Sequence, residues 1–259
     1  VRPFPDQNDA RDRQKPRMYM RGTFACLVAL VLIGCDRAAP TAAVARPTVQ
    51  PGPGIVTGVV RFTGPRPTVA AVEGECCPGV PRPADESIVV NDDGTLRNVV
   101  VYIKDGPNVA TSQPTTALLT QQGCRYIPHV LALRTGQKLV VTSHDPTLHN
   151  VLVRPTSPGN PSANLPEYQN GSLSFTFDQP DDEVSFACSV HAWMKAYAMV
   201  FDHPCYAVTG DGGTFRIEHL PPGTYTLIAH HEQLGDLQQS VTVSADKPTA
   251  DVRIEYHPQ

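Results

Sequence analysis

Val184-Ser185-Phe186-Ala187-Cys188-Ser189-Val190-His191-Ala192-Trp193-Met194 is the stretch from which the fold is read. Val184, Phe186 and Cys188 alternate with Ser185 and Ala187. That is the two-residue period of a strand, so the first three share its core-facing side. A short loop follows, and Ala196 to Phe201 reads as the strand that closes it. The spacing Cys188-x-x-His191-x-x-Met194 places a thiolate, an imidazole and a thioether on one loop between two buried strands.

Such donors suit copper, because soft sulfur favours Cu(I) while imidazole accommodates both oxidation states. A trigonal His2Cys set with a weak axial Met needs a second histidine. His149 supplies one: His149, Val151 and Val153 alternate with Asn150, Leu152 and Arg154, which places the histidine on the core side of a neighbouring strand. Zinc takes nitrogen, thiolate and carboxylate ligands and rarely a thioether, so Met194 argues against a structural zinc site. No second cysteine stands at the spacing of a binuclear loop, so one copper ion is expected.

The segments Ser143-His144-Asp145-Pro146-Thr147-Leu148-His149-Asn150 and Phe186 to Met194 resemble the two ligand segments of cupredoxins, and the Cys-to-Met spacing resembles the short loop of amicyanin. The resemblance covers roughly residues 98–203. It implies a Greek-key β-sandwich with His149, Cys188, His191 and Met194 around a type 1 copper ion at one end. It also implies that Asn150 ties the ligand loops together. His144, where the family often carries Asn, and the long insertions at 66–97 and 155–172 depart from the pattern. Trp193, the only tryptophan, is expected to pack over the ligand loop or to flank an exposed edge of His191.

The rest of the chain reads as strands and turns. Proline is abundant, 26 against 19 glycines, and the apolar runs are short and Val-rich, which points to an all-β protein. Gly54 to Phe62 and Asn98 to Lys104 read as strands, with turns at Gly64-Pro65 and Asp93-Gly94. Residues 66–87, 105–122 and 155–172 read as loops. Arg125 to Leu133 reads as one strand, Leu139 to Thr142 as the next, and Leu173 to Phe177 as another. His129 and the His230-His231 pair are expected to be structural.

Gly213-x-Phe215-x-Ile217-x-x-Leu220-Pro221-Pro222-Gly223-x-Tyr225-x-Leu227 resembles the second half of carboxypeptidase regulatory-like, or transthyretin-like, modules. Gly223 is expected at the positive-φ position of a type II turn. The expected fold class is therefore a cupredoxin β-sandwich plus a small second β-sandwich. Two layouts stay open. Residues 54–203 form a continuous copper domain with 204–259 appended, or residues 54–108 pair with the C-terminal module and the copper domain is an insertion.

At the other end, Arg21 precedes the apolar run Phe24 to Ile33, and Leu32-Ile33-Gly34-Cys35 resembles a bacterial lipobox. A run this short falls well below the roughly 20 residues a membrane-spanning helix needs. It reads as a signal peptide within 1–34, with Met18 or Met20 as a plausible start. Cys35 would be the lipidated residue, and the Pro/Ala/Thr-rich 35–53 a disordered tether. Residues 35–259 keep 15 basic and 22 acidic residues, a formal charge of −7, which gives no support for nucleic-acid binding. With Cys188 on the metal, Cys76, Cys77, Cys124 and Cys205 are the candidates for disulfides in an oxidising compartment, with a free Cys205 as the alternative.

These readings converge on an electron carrier of the periplasm or cell envelope, anchored to a lipid membrane, monomeric and serving a redox protein partner. No acid/base pair, nucleophile triad or phosphate loop is read, so an enzyme is not expected. The alternatives are a cell-surface binding module for glycan or protein with no redox role, and a copper delivery or storage protein.

Overall fold

The computed structural model describes residues 46–68, 83–112 and 114–258. The signal segment, Cys35, Cys76 and Cys77 lie outside the described residues. Among the described residues the chain is all β, and no helix is long and apolar enough to cross a membrane.

The first two strands are β1 (Gly54–Phe62) and β2 (Val100–Ile103). Nine follow: β3 (Ala117–Gln121), β4 (Tyr126–Ile127), β5 (Val130–Arg134), β6 (Lys138–Ser143), β7 (His149–Pro155), β8 (Ala163–Glu167), β9 (Ser172–Thr176), β10 (Asp181–Ala187) and β11 (Lys195–Phe201). They form two sheets, β4-β3-β6-β9 and β5-β11-β10-β7-β8. Both are mixed, since β3 runs parallel to β6 and β5 parallel to β11. Alternating buried residues from both sheets fill the space between them. Leu119, Leu139 and Val141 come from one side, and Val151, Val153, Val184, Phe186 and Ala198 from the other. Two-residue periodicity thus becomes a sandwich core.

The last five strands are β12 (Tyr206–Val208), β13 (Thr214–Leu220), β14 (Gly223–His231), β15 (Gly235–Val243) and β16 (Thr249–Tyr256). Here β1 lies between β13 and β16, and β2 between β12 and β14. Residues before 104 therefore share sheets and a second core, with Val56, Val60, Val101, Ile217, Leu227 and Ile254, with the C-terminal segment. Gly58 permits the closest approach in this module: a Cβ there would stand 2.2 Å from the Val252 carbonyl oxygen and 2.7 Å from the Phe215 ring.

Several local expectations are corrected. The stretch 105–122, read as a loop, contains β3, and 155–172 contains β8. Only Glu167 of β8 is buried, so this edge strand shows no alternation of apolar residues to read. Arg125 to Leu133 is not one strand. Pro128, which has no N–H to donate, separates β4 from β5, and the two enter different sheets. Gly223 does not take positive φ; the left-handed residue before that turn is His219, at 64°. Cys205 is not in a disulfide. It is a free, fully buried thiol of the second core whose Sγ donates to the Pro107 carbonyl at 3.4 Å.

Candidate metal centre

Strand register brings the site together. Phe186 of β10 pairs with Val153 of β7 and Ala187 with Leu152, so the end of β10 runs toward the start of β7, where His149 stands. The loop after β10 closes on itself: the Met194 N–H donates to the His191 carbonyl at 2.9 Å and the Cys188 N–H to the Met194 carbonyl at 3.2 Å. Asn150 fastens this loop to β7. Its Oδ1 accepts from the Ser189 N–H at 2.5 Å, and its Nδ2 donates to the Ser189 hydroxyl at 3.2 Å. The Tyr126 hydroxyl lies 3.1 Å from the Asn150 carbonyl and 3.2 Å from that of Ala187, spanning the same two strands from beneath.

Three donor atoms converge at the centre. His149 Nδ1 and His191 Nδ1 are 3.0 Å apart, and the Cys188 Sγ lies 3.8 Å from each. All three residues are buried, His149 completely. The point equidistant from atoms so spaced lies about 2.1 Å from each, within the roughly 2.0–2.3 Å range of zinc-like metal bonds to imidazole and thiolate. A metal ion therefore fits between them without movement of the backbone. Met194 is buried in the same core cluster as Cys188.

The Cys124 sulfur also lies within 4.8 Å of ring nitrogens of His149 and His191, but Cys124 is disulfide-bonded. The sulfur available to a metal as a thiolate is that of Cys188, which is free. Burial raises the Cys188 thiol, but the hydrogen bond from His149 and backbone N–H groups near Asn150, His191 and Val190 outweigh it and hold the thiol below its ordinary range. The His191 ring is lowered by burial and by the neighbouring His149, which favours the neutral imidazole a metal needs.

A residue that strand periodicity does not find completes the centre. Asp145, in the β6–β7 connection and buried, accepts from the Gly123 N–H at 2.7 Å, the Cys124 N–H at 2.8 Å and His149 Nε2 at 2.9 Å. Burial opposes its ionisation, but these three donors together hold its carboxyl below the usual range. The pairing holds the Nε2 proton toward Asp145, so Nδ1, which faces Cys188 and His191, is the nitrogen left to bind a metal once its own proton is lost. The signal available in the sequence was an acid four residues before the histidine, within a loop.

The remaining singled-out residues fall as follows. The Trp193 ring centre lies 5.3 Å from that of His191, and its Nε1–H donates to the Cys124 carbonyl at 3.1 Å, so it packs over the ligand loop. His191 is only 6% exposed. The exposed apolar residues beside the ligands are instead Leu148 and Val190. His144 is exposed and brings no side chain to the centre. His129 bonds the Lys195 carbonyl and Glu232, and His230 bonds Asp236.

No protein-family model and no curated protein matches this sequence. Solved structures similar to part of it include a copper nitrite reductase and amicyanins. A Cu-containing nitrite reductase from Thermus scotoductus SA-01 is 20% identical with a TM-score of 0.31, over 36% of this chain and 25% of its own, so the match spans about a quarter of that protein. Amicyanin from Paracoccus versutus is 14% identical with a TM-score of 0.30, over 39% of this chain and 97% of its own. A methionine-to-glutamine mutant of amicyanin in the Cu(I) form is 15% identical with a TM-score of 0.30, over 38% and 86%.

Proposed function

We propose that this chain is a mononuclear copper protein that carries single electrons between redox partners. In this reading His149, Cys188 and His191 would be the strong ligands and Met194 a weaker thioether ligand. The observation that carries it is the buried triangle of two imidazole nitrogens and one free thiol, spaced to hold one metal ion. The donor set selects copper: a thiolate, two imidazoles and a thioether together suit both Cu(I) and Cu(II).

When bound, the metal supplies a reversible one-electron couple. The protein's contribution is rigidity. Asp145 fixes one imidazole, Asn150 and two backbone hydrogen bonds fix the ligand loop, and the core on both sides of Cys188 excludes water. Ligands held this way change little between oxidation states, which keeps the barrier to electron transfer low. Leu148 and Val190, exposed beside His149 and His191, offer an apolar surface for another redox protein. We further propose that the protein is tethered to a membrane of the cell envelope through Cys35. Neither the centre nor its surroundings is proposed to make or break substrate bonds.

The test is a titration of the purified metal-free protein with Cu(II), followed by cycles of a one-electron reductant and oxidant. One equivalent should bind, and its signal should bleach and return over many cycles. Loss of copper to a chelator after the first reduction would favour metal delivery instead.

A further inference from the structure

The largest concavity beside the metal centre lies where the two sandwiches meet, with a volume of about 470 Å³. That is the size of a small-molecule site, and junctions between domains are where such sites concentrate. Trp193, Met194 and Tyr197 of the metal-bearing sandwich line it, and Glu232 enters from the turn after β14. Ala84, Asp85, Ala192 and Lys195 are exposed at its rim, so it opens to solvent.

Its polar wall is built. His129 and Glu232 are each 8% exposed at the side chain and bonded to one another. The Lys195 carbonyl can only accept, so His129 Nδ1 carries a proton and donates to it at 3.1 Å. The Glu232 carboxylate also meets the Tyr197 hydroxyl. A carboxylate has about four lone-pair sites, so it keeps room for one more donor.

The polar groups of the wall are engaged with one another: His129 with Glu232, and Arg125 with Glu86 at 3.4 Å. A neutral occupant is therefore favoured over an ion. The aromatic rings of Trp193 and Tyr197 in its lining favour a flat one.

We infer that this cavity binds a small neutral aromatic alcohol, its ring against Trp193 and Tyr197 and its hydroxyl donating to Glu232. This goes beyond the electron-carrier reading and does not depend on the metal. An occupant would touch the tryptophan that packs on His191, so the site adjoins the metal centre without sharing its ligands.

Trp193 is the only tryptophan and lines the cavity, so its fluorescence reports on an occupant there. The experiment titrates the metal-free full chain with benzene-1,4-diol and, separately, with cyclohexane-1,4-diol. The aromatic diol should give a saturable change in Trp193 emission, weakened at least tenfold in Glu232→Gln, and the saturated analogue none. A linear, collisional response to the aromatic diol, or equal responses to both diols, would overturn the inference. The comparison of the two diols uses the unaltered protein and stands even if the variant misfolds. Because no metal is present, failure of the copper reading leaves this result untouched.

Discussion

The buried carboxylate of Asp145 accepts the Nε2 proton of His149 at 2.9 Å, four residues along the chain. A negative charge thus lies one imidazole away from the proposed metal, on the side opposite Cys188. It sets the ring's tautomer and raises its basicity as a ligand.

Replacing this charge has a direction. In Asp145→Asn the ring keeps an acceptor but loses the negative charge, so Cu(II) loses more stabilisation than Cu(I). The reduction potential should rise, and Cu(II) affinity should fall by roughly 10–100-fold. Voltammetry and a competitive chelator titration measure both. An unchanged potential would show that Asp145 only shapes the loop.

The two free thiols should separate cleanly. Cys188→Ala should abolish the thiolate-to-copper absorption. Cys205 is pushed up to about 12 by burial, so its thiolate is scarce at neutral pH. Cys205→Ala should leave the copper spectrum intact while lowering stability, and thiol reagents should spare Cys205 in the folded protein. Rapid labelling of Cys205 would contradict its burial.

Asp181 provides a pH prediction. Its carboxylate accepts from the Thr156 N–H and hydroxyl, the Ser157 N–H, Asn160 Nδ2 and the Glu183 N–H. Burial opposes its ionisation, yet these bonds hold it below the carboxylate range. A group depressed in the folded state stabilises above its unfolded pKa of about 3.9, and that contribution is lost as pH falls through the folded value. Asp181→Asn should lower stability at pH 7 by about 1–3 kcal/mol and flatten the acid side of a denaturation series. Parallel stability profiles for variant and parent would refute this.

Gly58→Ala tests the second sandwich. The added methyl meets the Val252 carbonyl oxygen, which is backbone, as well as the Phe215 ring, so the strands must part. Overpacking of this kind costs about 1–3 kcal/mol, read from a denaturant midpoint. An unaltered midpoint would mean that β1 does not pack between β13 and β16 as described.

The segments that carry the proposed ligands stand on or beside strands whose buried residues alternate, which is what makes them visible in the sequence. Val184, Phe186 and Cys188 are buried, as are His149, Val151 and Val153. Asn150 was legible through family resemblance, and its side chain bonds Ser189 of the loop. Asp145 was not, because a loop carboxylate has no period and its donors come from the β3–β4 connection and the start of β7. β8 was hidden for the related reason that an exposed edge strand needs no apolar face. The sequence left two layouts open for 54–108, since Gly58-Val59-Val60-Arg61-Phe62 serves as a strand in either. What joins β1 to β13 and β16 is long-range pairing, which no local window carries.

The most direct test of the central claim is X-ray absorption at the copper edge of the loaded, unaltered protein. One short sulfur and two nitrogens should fill the bonding shell, with the sulfur lost in Cys188→Ser. A shell of nitrogen and oxygen alone, or a sulfur that survives that substitution, would contradict it.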